Sequence, residues 1–181
     1  TEPLVEAVAR RRHVPQQLRR GETVAVGRGQ HFGELHRTFG TDDVKPAERP
    51  PRPRRKAPAK DRAHVAFADV AKYCLEIGRQ VWLLGSKKDE SDCEHIENKV
   101  TGVINLAGQT SLEDVVDVIS LADTLVCNDS GLMHVSAALN TKTVALFGST
   151  SDEYTPPLSS NSLVVSREMD CRPCFQRVCP L

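Results

Sequence analysis

The residues of this chain best placed to do chemistry stand in one short stretch, Asn128-Asp129-Ser130-Gly131, with His134 three positions further on. An apolar run ends at Cys127, and a second begins at Leu132. If the first run is a strand and the second a helix, the first N–H groups of that helix have no internal acceptors. They carry partial positive charge and suit a phosphate or diphosphate. Gly131 lets a ligand approach the backbone with no Cβ in the way. The Ser130 hydroxyl can add a hydrogen bond, Asp129 can accept from sugar hydroxyls, and His134 lies about one turn on. The same four residues also make a good N-cap and turn with no ligand at all. His134 could equally be a satisfied, half-buried imidazole, and spacing alone puts that bland reading slightly ahead.

Two further strand ends carry small polar residues. Gly148-Ser149-Thr150-Ser151 follows the apolar run ending at Phe147 and could cradle a phosphate with its N–H and O–H groups. Gly85-Ser86 follows another run, with Lys87 beside it, although lysines in such places are more often simply solvated. Each could be an ordinary loop, but their recurrence after neighbouring strands weakens that reading.

The elements that must position these loops are legible from about Val65 onward. Phe67, Val70, Ala71, Cys74 and Leu75 share a helical face that Gly78 terminates. Strands are expected at Gln80–Leu84, Val103–Leu106, Thr124–Cys127, Thr143–Phe147 and 162–165. A polar helix is expected over Asp89–Asn98. Ser111, with Asp114 three residues on, predicts a capped helix whose apolar stripe is Leu112, Val115, Val116 and Ile119. Ser130–Leu139 is the last helix. Short apolar strands alternating with helices predict an α/β fold, an open parallel Rossmann-like sheet covered on both faces. Ligands in such sheets bind beyond the carboxyl ends of the strands.

Composition divides the 181 residues in two. Residues 1–62 hold 15 Lys+Arg against 8 Asp+Glu, a net of +7, while residues 63–181 hold 9 against 16, a net of −7. The first segment is rich in Arg, Pro and Gly and lacks sustained apolar periodicity, so it is expected to be irregular or disordered. Thr23–Val26 could form a short strand there, with nothing convincing to flank it. With 4% aromatic residues, the core must be aliphatic. No apolar run nears the roughly 20 residues that span a bilayer, and no secretory signal is visible. A cytoplasmic protein is the expectation. Cys74, Cys93 and Cys127 read as buried thiols. Cys171, Cys174 and Cys179 could supply three zinc ligands, but no fourth is evident, and a structural or redox-sensitive loop is the preferred reading.

The string Asn128–Thr150, followed by Tyr154-Thr155-Pro156-Pro157-Leu158-Ser159, closely resembles the donor-binding region of the family 9 glycosyltransferases, the ADP-heptose:lipopolysaccharide heptosyltransferases of GT-B fold. Supporting stretches extend the likeness from Phe67 to Leu181. The resemblance implies an inverting transfer of L-glycero-D-manno-heptose from ADP-heptose to the inner core of lipopolysaccharide, with neither metal nor other cofactor. It implies peripheral work at the cytoplasmic face of the inner membrane. Asp129, Ser130, Gly131 and His134 carry over as donor contacts, with Gly148, Ser149 and Thr150 beside them. Lys60, in Pro58-Ala59-Lys60, matches a donor-phosphate lysine, although the residues after it depart from the family pattern. Members of the family have two Rossmann domains and continue to a final helix past the position of Leu181. The resemblance therefore implies a donor-binding unit at 63–181, preceded by a segment whose abrupt change of composition is what a mis-joined reading frame would give. Two other readings stand beside it: a nucleotide-binding module without transfer, and a nucleic-acid binder using the basic segment, for which no base-stacking aromatics are interleaved.

Overall fold

The computed structural model describes residues 23–28 and 60–176. Its elements are β1 (Thr23–Arg28), α1 (Lys60–Glu76), β2 (Gln80–Gly85), a single 3-10 turn at Lys87–Asp89, α2 (Glu90–Lys99), β3 (Ile104–Asn105), α3 (Leu112–Leu121), β4 (Thr124–Asn128), α4 (Gly131–Ala138), β5 (Lys142–Phe147) and β6 (Ser162–Ser166). The six strands form one parallel sheet in the order β3-β2-β1-β4-β5-β6. The expected open parallel α/β sheet is therefore what the chain adopts. Its boundaries shift by a residue or two, as hydrogen-bonded ends do.

The centre of the sheet comes from the segment expected to be irregular. Thr23–Arg28 pairs with β2 on one side and with β4 on the other. Ala25 sits opposite both Trp82 and Leu125 and is fully buried. The run Thr-Val-Ala-Val-Gly is too short and too isolated to show periodicity, yet a six-residue strand needs only neighbours on each edge. Asp123 supplies an anchor: its Oδ2 accepts the Thr23 N–H at 2.7 Å, and its own N–H donates to the Thr23 carbonyl at 3.0 Å. The short strand read at Thr23–Val26 therefore forms and runs on to Arg28, flanked on both sides where no flanking element was expected. The rest of residues 1–59 lies outside the described residues.

Side chains leave the sheet alternately and build two cores. Ala25, Trp82, Leu84, Leu125 and Cys127 face α3 and α4, which contribute Val115, Val118, Ile119 and Met133. Val24, Val26, Val81, Leu83 and Val126 face α1 and α2, which contribute Phe67, Ala71, Cys74, Cys93 and Ile96. Both faces of the central strands are thus dry, as a parallel sheet requires.

The helices keep the predicted punctuation. Gly78 takes φ 81° after α1, the Arg79 N–H reaches the Cys74 carbonyl at 2.9 Å and the Gly78 N–H reaches that of Leu75 at 3.0 Å. That pair of bonds is a Schellman closure. Ser111 and Asp114 cap α3 reciprocally: Ser111 Oγ accepts from the Asp114 N–H at 3.2 Å, and the Asp114 carboxylate accepts from the Ser111 N–H at 2.8 Å. The stripe of α3 differs from expectation. Val115, Val118, Ile119 and Leu121 are buried, Val116 is half-buried and Leu112 is exposed. Leu112 stands in the first turn, beyond the sheet's cover, and Val118 takes its place in the apolar face.

Candidate functional site

The strand order reverses between β1 and β4: β2 lies outward of one and β5 outward of the other. At such a switch the loops leaving the two central strands part and open a crevice at their carboxyl ends. Asn128 ends β4, Asp129 and Ser130 form the turn, and Gly131 opens α4. The sequence-predicted stretch therefore lines the crevice position of the sheet. Gly27, near the carboxyl end of β1, lies against Leu132 of α4: a Cβ on it would stand 2.7 Å from Leu132 Cδ1, the movable end of that side chain.

The turn is held from three sides. The Asp129 N–H donates to the Leu146 carbonyl of β5 at 3.1 Å. The Thr155 hydroxyl lies 3.4 Å from Asp129 Oδ1 and 3.5 Å from the Ser151 carbonyl, so one residue tethers the β4 turn to the loop after β5. Ser136 of α4 and Thr143 of β5 share a buried hydroxyl bond of 2.7 Å beneath them.

Ser130 occupies the N-cap of α4 in extended geometry, yet its side chain makes no capping bond. The residue is 2% exposed, and its Oγ has no hydrogen-bond partner among the described residues. An unsatisfied buried hydroxyl costs about 1–3 kcal/mol. The bland reading, in which the turn is an ordinary serine cap, is not what the geometry shows. Ser111, by contrast, uses its hydroxyl in full. The Met133 N–H is taken up by the Ser130 carbonyl at 3.1 Å; the N–H groups of Gly131 and Leu132, in the first turn, have no acceptor within the helix.

Two titrations follow from burial. The His134 imidazole is half-buried, which lowers its pKa against the opposing pull of the Asp129 carboxylate. It is therefore neutral at pH 7, able to donate from one ring nitrogen and accept at the other. Cys127 is buried beneath the turn, and burial together with Asp129 pushes its thiol up to about 12. It remains a protonated, inert thiol rather than a nucleophile.

The other candidate residues divide. Gly148 is exposed, with open space where a Cβ would stand, while Ser149 and Thr150 are half-buried in the loop after β5, tied through Thr155 to the same turn. Lys60 is the first residue of α1, the helix that leads into β2. The third loop is spoken for. Asp89, 4% exposed, accepts from the Ser86 N–H at 2.9 Å and from Ser86 Oγ at 2.6 Å, leaving that hydroxyl committed. Cys171 is exposed and Cys174 half-buried, both free thiols, while Cys179 lies outside the described residues. Among the described residues no group of three His, Cys, Asp or Glu could hold a metal ion.

Two contributors escape sequence reasoning. Thr155 sits in the quoted Tyr154–Ser159 stretch, but nothing in its spacing shows that it bridges two loops. Arg172, between the cysteines, sends Nη2 to the Thr150 carbonyl at 3.2 Å and pairs with Asp152 at 3.6 Å.

The model of glycosyltransferase family 9 (heptosyltransferase) matches residues 51–181. The chain belongs to glycosyltransferase family 9. The family match begins at residue 51, ahead of Phe67, where the likeness read from the sequence begins. The lipooligosaccharide heptosyltransferase 2 of Haemophilus ducreyi is 45% identical over 115 residues, 60% of this chain and 33% of that protein. The structure of E. coli ADP-heptose lps heptosyltransferase II superposes with a TM-score of 0.64 at 28% identity, covering 96% of this chain and 49% of that one. E. coli heptosyltransferase WaaC with ADP gives 0.58 at 20% identity over 86% of this chain and 40% of that one, a likeness of fold. The chain thus spans about a third of the length of the Haemophilus ducreyi relative and about half of the E. coli heptosyltransferase II structure. No helix among the described residues is long and apolar enough to cross a membrane.

Proposed function

We propose that this chain is the donor-binding part of a heptosyltransferase II-like enzyme that transfers L-glycero-D-manno-heptose from ADP-heptose to the inner core of lipopolysaccharide. The observation that carries it is the amino end of α4, placed at the switch of strand order with a serine hydroxyl unspent on capping. There the N–H groups of Gly131 and Leu132 and the Ser130 hydroxyl hold the diphosphate. Asp129 accepts from sugar hydroxyls, neutral His134 donates to the same ligand, and Lys60 neutralises a phosphate. Gly148, Ser149 and Thr150 close the site from the side of β5.

In the reaction, a general base removes the proton of the acceptor hydroxyl. That oxygen attacks the anomeric carbon, inverting it, and ADP departs. Negative charge grows on the leaving diphosphate, and dipoles already aimed at it lower the barrier without reorganising. The enzyme works in the cytoplasm, against the inner membrane face that presents the acceptor. A nucleotide-binding module without transfer is the competing reading.

Phosphorus NMR of ADP and AMP titrated with the chain tests the site. ADP resonances should broaden and shift at lower protein concentration than AMP, because the second phosphate gains the helix end. Equal affinity for both would contradict the assignment. Release of ADP from ADP-heptose on addition of inner-core acceptor separates transfer from binding alone.

A further inference from the structure

The donor assignment leaves Cys171 and Cys174 unused. Cys74, Cys93 and Cys127 are buried, whereas Cys171 is exposed and Cys174 half-buried, both as free thiols. The two stand three positions apart, and the chain bends at Pro173 between them. A Cys-x-x-Cys pair beside an α/β sheet has the spacing that dithiol–disulfide chemistry uses. In a reducing compartment such a bridge is transient and serves catalysis or sensing rather than stability.

What lies between the thiols reaches the loop after β5. The Arg172 N–H donates to the Met169 carbonyl at 2.9 Å, closing a turn. From that turn the guanidinium sends Nη2 to the Thr150 carbonyl at 3.2 Å and to Asp152 at 3.6 Å, and Nη1 to the Arg167 carbonyl at 3.0 Å. One residue past Cys174, the Phe175 N–H donates to the Ser149 carbonyl at 2.8 Å. Two successive carbonyls of the loop 148–151 are thus tied to the segment that carries the thiols. The tie is not saturated. Nε of Arg172 is buried with no hydrogen-bond partner among the described residues, and a buried donor left unmet offsets part of what the other bonds contribute. Such a side chain lets go more readily than a fully paired one when its backbone shifts. Disulfide geometry is narrow, so closing a bridge across Arg172 and Pro173 resets the backbone of both.

We propose that Cys171 and Cys174 are a redox-sensitive dithiol, whose closure into a disulfide withdraws Arg172 from the loop 148–151. The oxidant is a small-molecule disulfide such as glutathione disulfide. The exposed Cys171 thiolate attacks one of its sulfurs, breaking that S–S bond and releasing one glutathione. The Cys174 thiolate then attacks the Cys171 sulfur of the mixed disulfide and expels the second glutathione. The protein loses two electrons and two protons, and the oxidant becomes two thiols. That the released loop weakens ADP binding rests on the donor reading above.

Mass spectrometry of the full chain after treatment with glutathione disulfide tests the bridge. Trypsin cuts after Arg167 and Arg177 but not between Arg172 and Pro173, so the peptide 168–177 holds Cys171 and Cys174 without Cys179. It should lose two hydrogens on oxidation and regain them with reduced glutathione, and Cys171→Ser or Cys174→Ser should each prevent the loss. Amide hydrogen exchange over residues 148–155 should quicken on oxidation of the parent protein, and should be fast in Arg172→Gln whatever its redox state. Calorimetric ADP affinity should fall by at least about fivefold on oxidation, and ADP should resist oxidation by the same factor. Glutathione adducts with no bridge in the peptide, a bridge that leaves the loop's exchange unchanged, or an equal response to oxidation in Arg172→Gln would each overturn the proposal. Quickened exchange with unaltered ADP affinity, or a reduced protein that binds no ADP, would count against the donor reading and leave the dithiol standing.

Discussion

Ser130 and His134 show how burial decides what a residue can do. Both look like ligand contacts in the sequence, and both have ordinary structural explanations there. The serine's explanation fails because its hydroxyl makes no cap. For His134, burial disfavours the imidazolium in the folded chain. In the unfolded chain the imidazole titrates near its ordinary value of about 6.5. Between its lowered folded pKa and about 6.5 the unfolded state therefore binds more protons, so this contribution to stability is full above about 6.5 and is lost as pH falls through that window. Urea denaturation from pH 5 to 7.5 should show this slope, reduced in His134→Gln. An unchanged slope would mean that the imidazole is equally free to protonate in both states. The position of Ser130 was legible in the sequence; its orphaned hydroxyl was not, because capping and ligand binding use the same residue type.

Elements were legible where local rules suffice. The box of Ser111 and Asp114 is a contact of three residues and needs no tertiary knowledge. Ser111→Ala should cost about 1 kcal/mol in chemical denaturation; a change within error would show that α3 does not depend on its cap. Which side of α3 faces the sheet depends on where the sheet ends, and no periodicity supplies that. Hence Ile119→Ala should destabilise by about 2–5 kcal/mol, whereas Leu112→Ala should be nearly neutral, as exposed positions are. Comparable losses would restore the stripe read from the sequence. Thr155 and Arg172 were illegible for the same reason: their partners lie on other loops, and a bridge between loops leaves no local signature.

At the scale of the molecule, the sheet is assembled from both compositional halves. β1 comes from the basic segment and lies between β2 and β4, making the switch that places the site. A strand of six residues in an Arg- and Pro-rich setting carries little signal of its own; only pairing on both edges reveals it. Ala25→Asp would bury a charge opposite Trp82 and Leu125, a cost of about 3–5 kcal/mol, and should unfold the chain or leave it barely stable by circular dichroism. Tolerance of that change would show that the segment is dispensable, as a mis-joined sequence would be. With the sheet intact, the account stands on the amino end of α4. Calorimetric titration of ADP into the chain and into Gly131→Val tests it most directly, with thermal melts to confirm that both are folded. The account predicts binding by the parent chain and a loss of at least tenfold, about 1.4 kcal/mol, in the variant. Equal affinity in a folded Gly131→Val protein would contradict it.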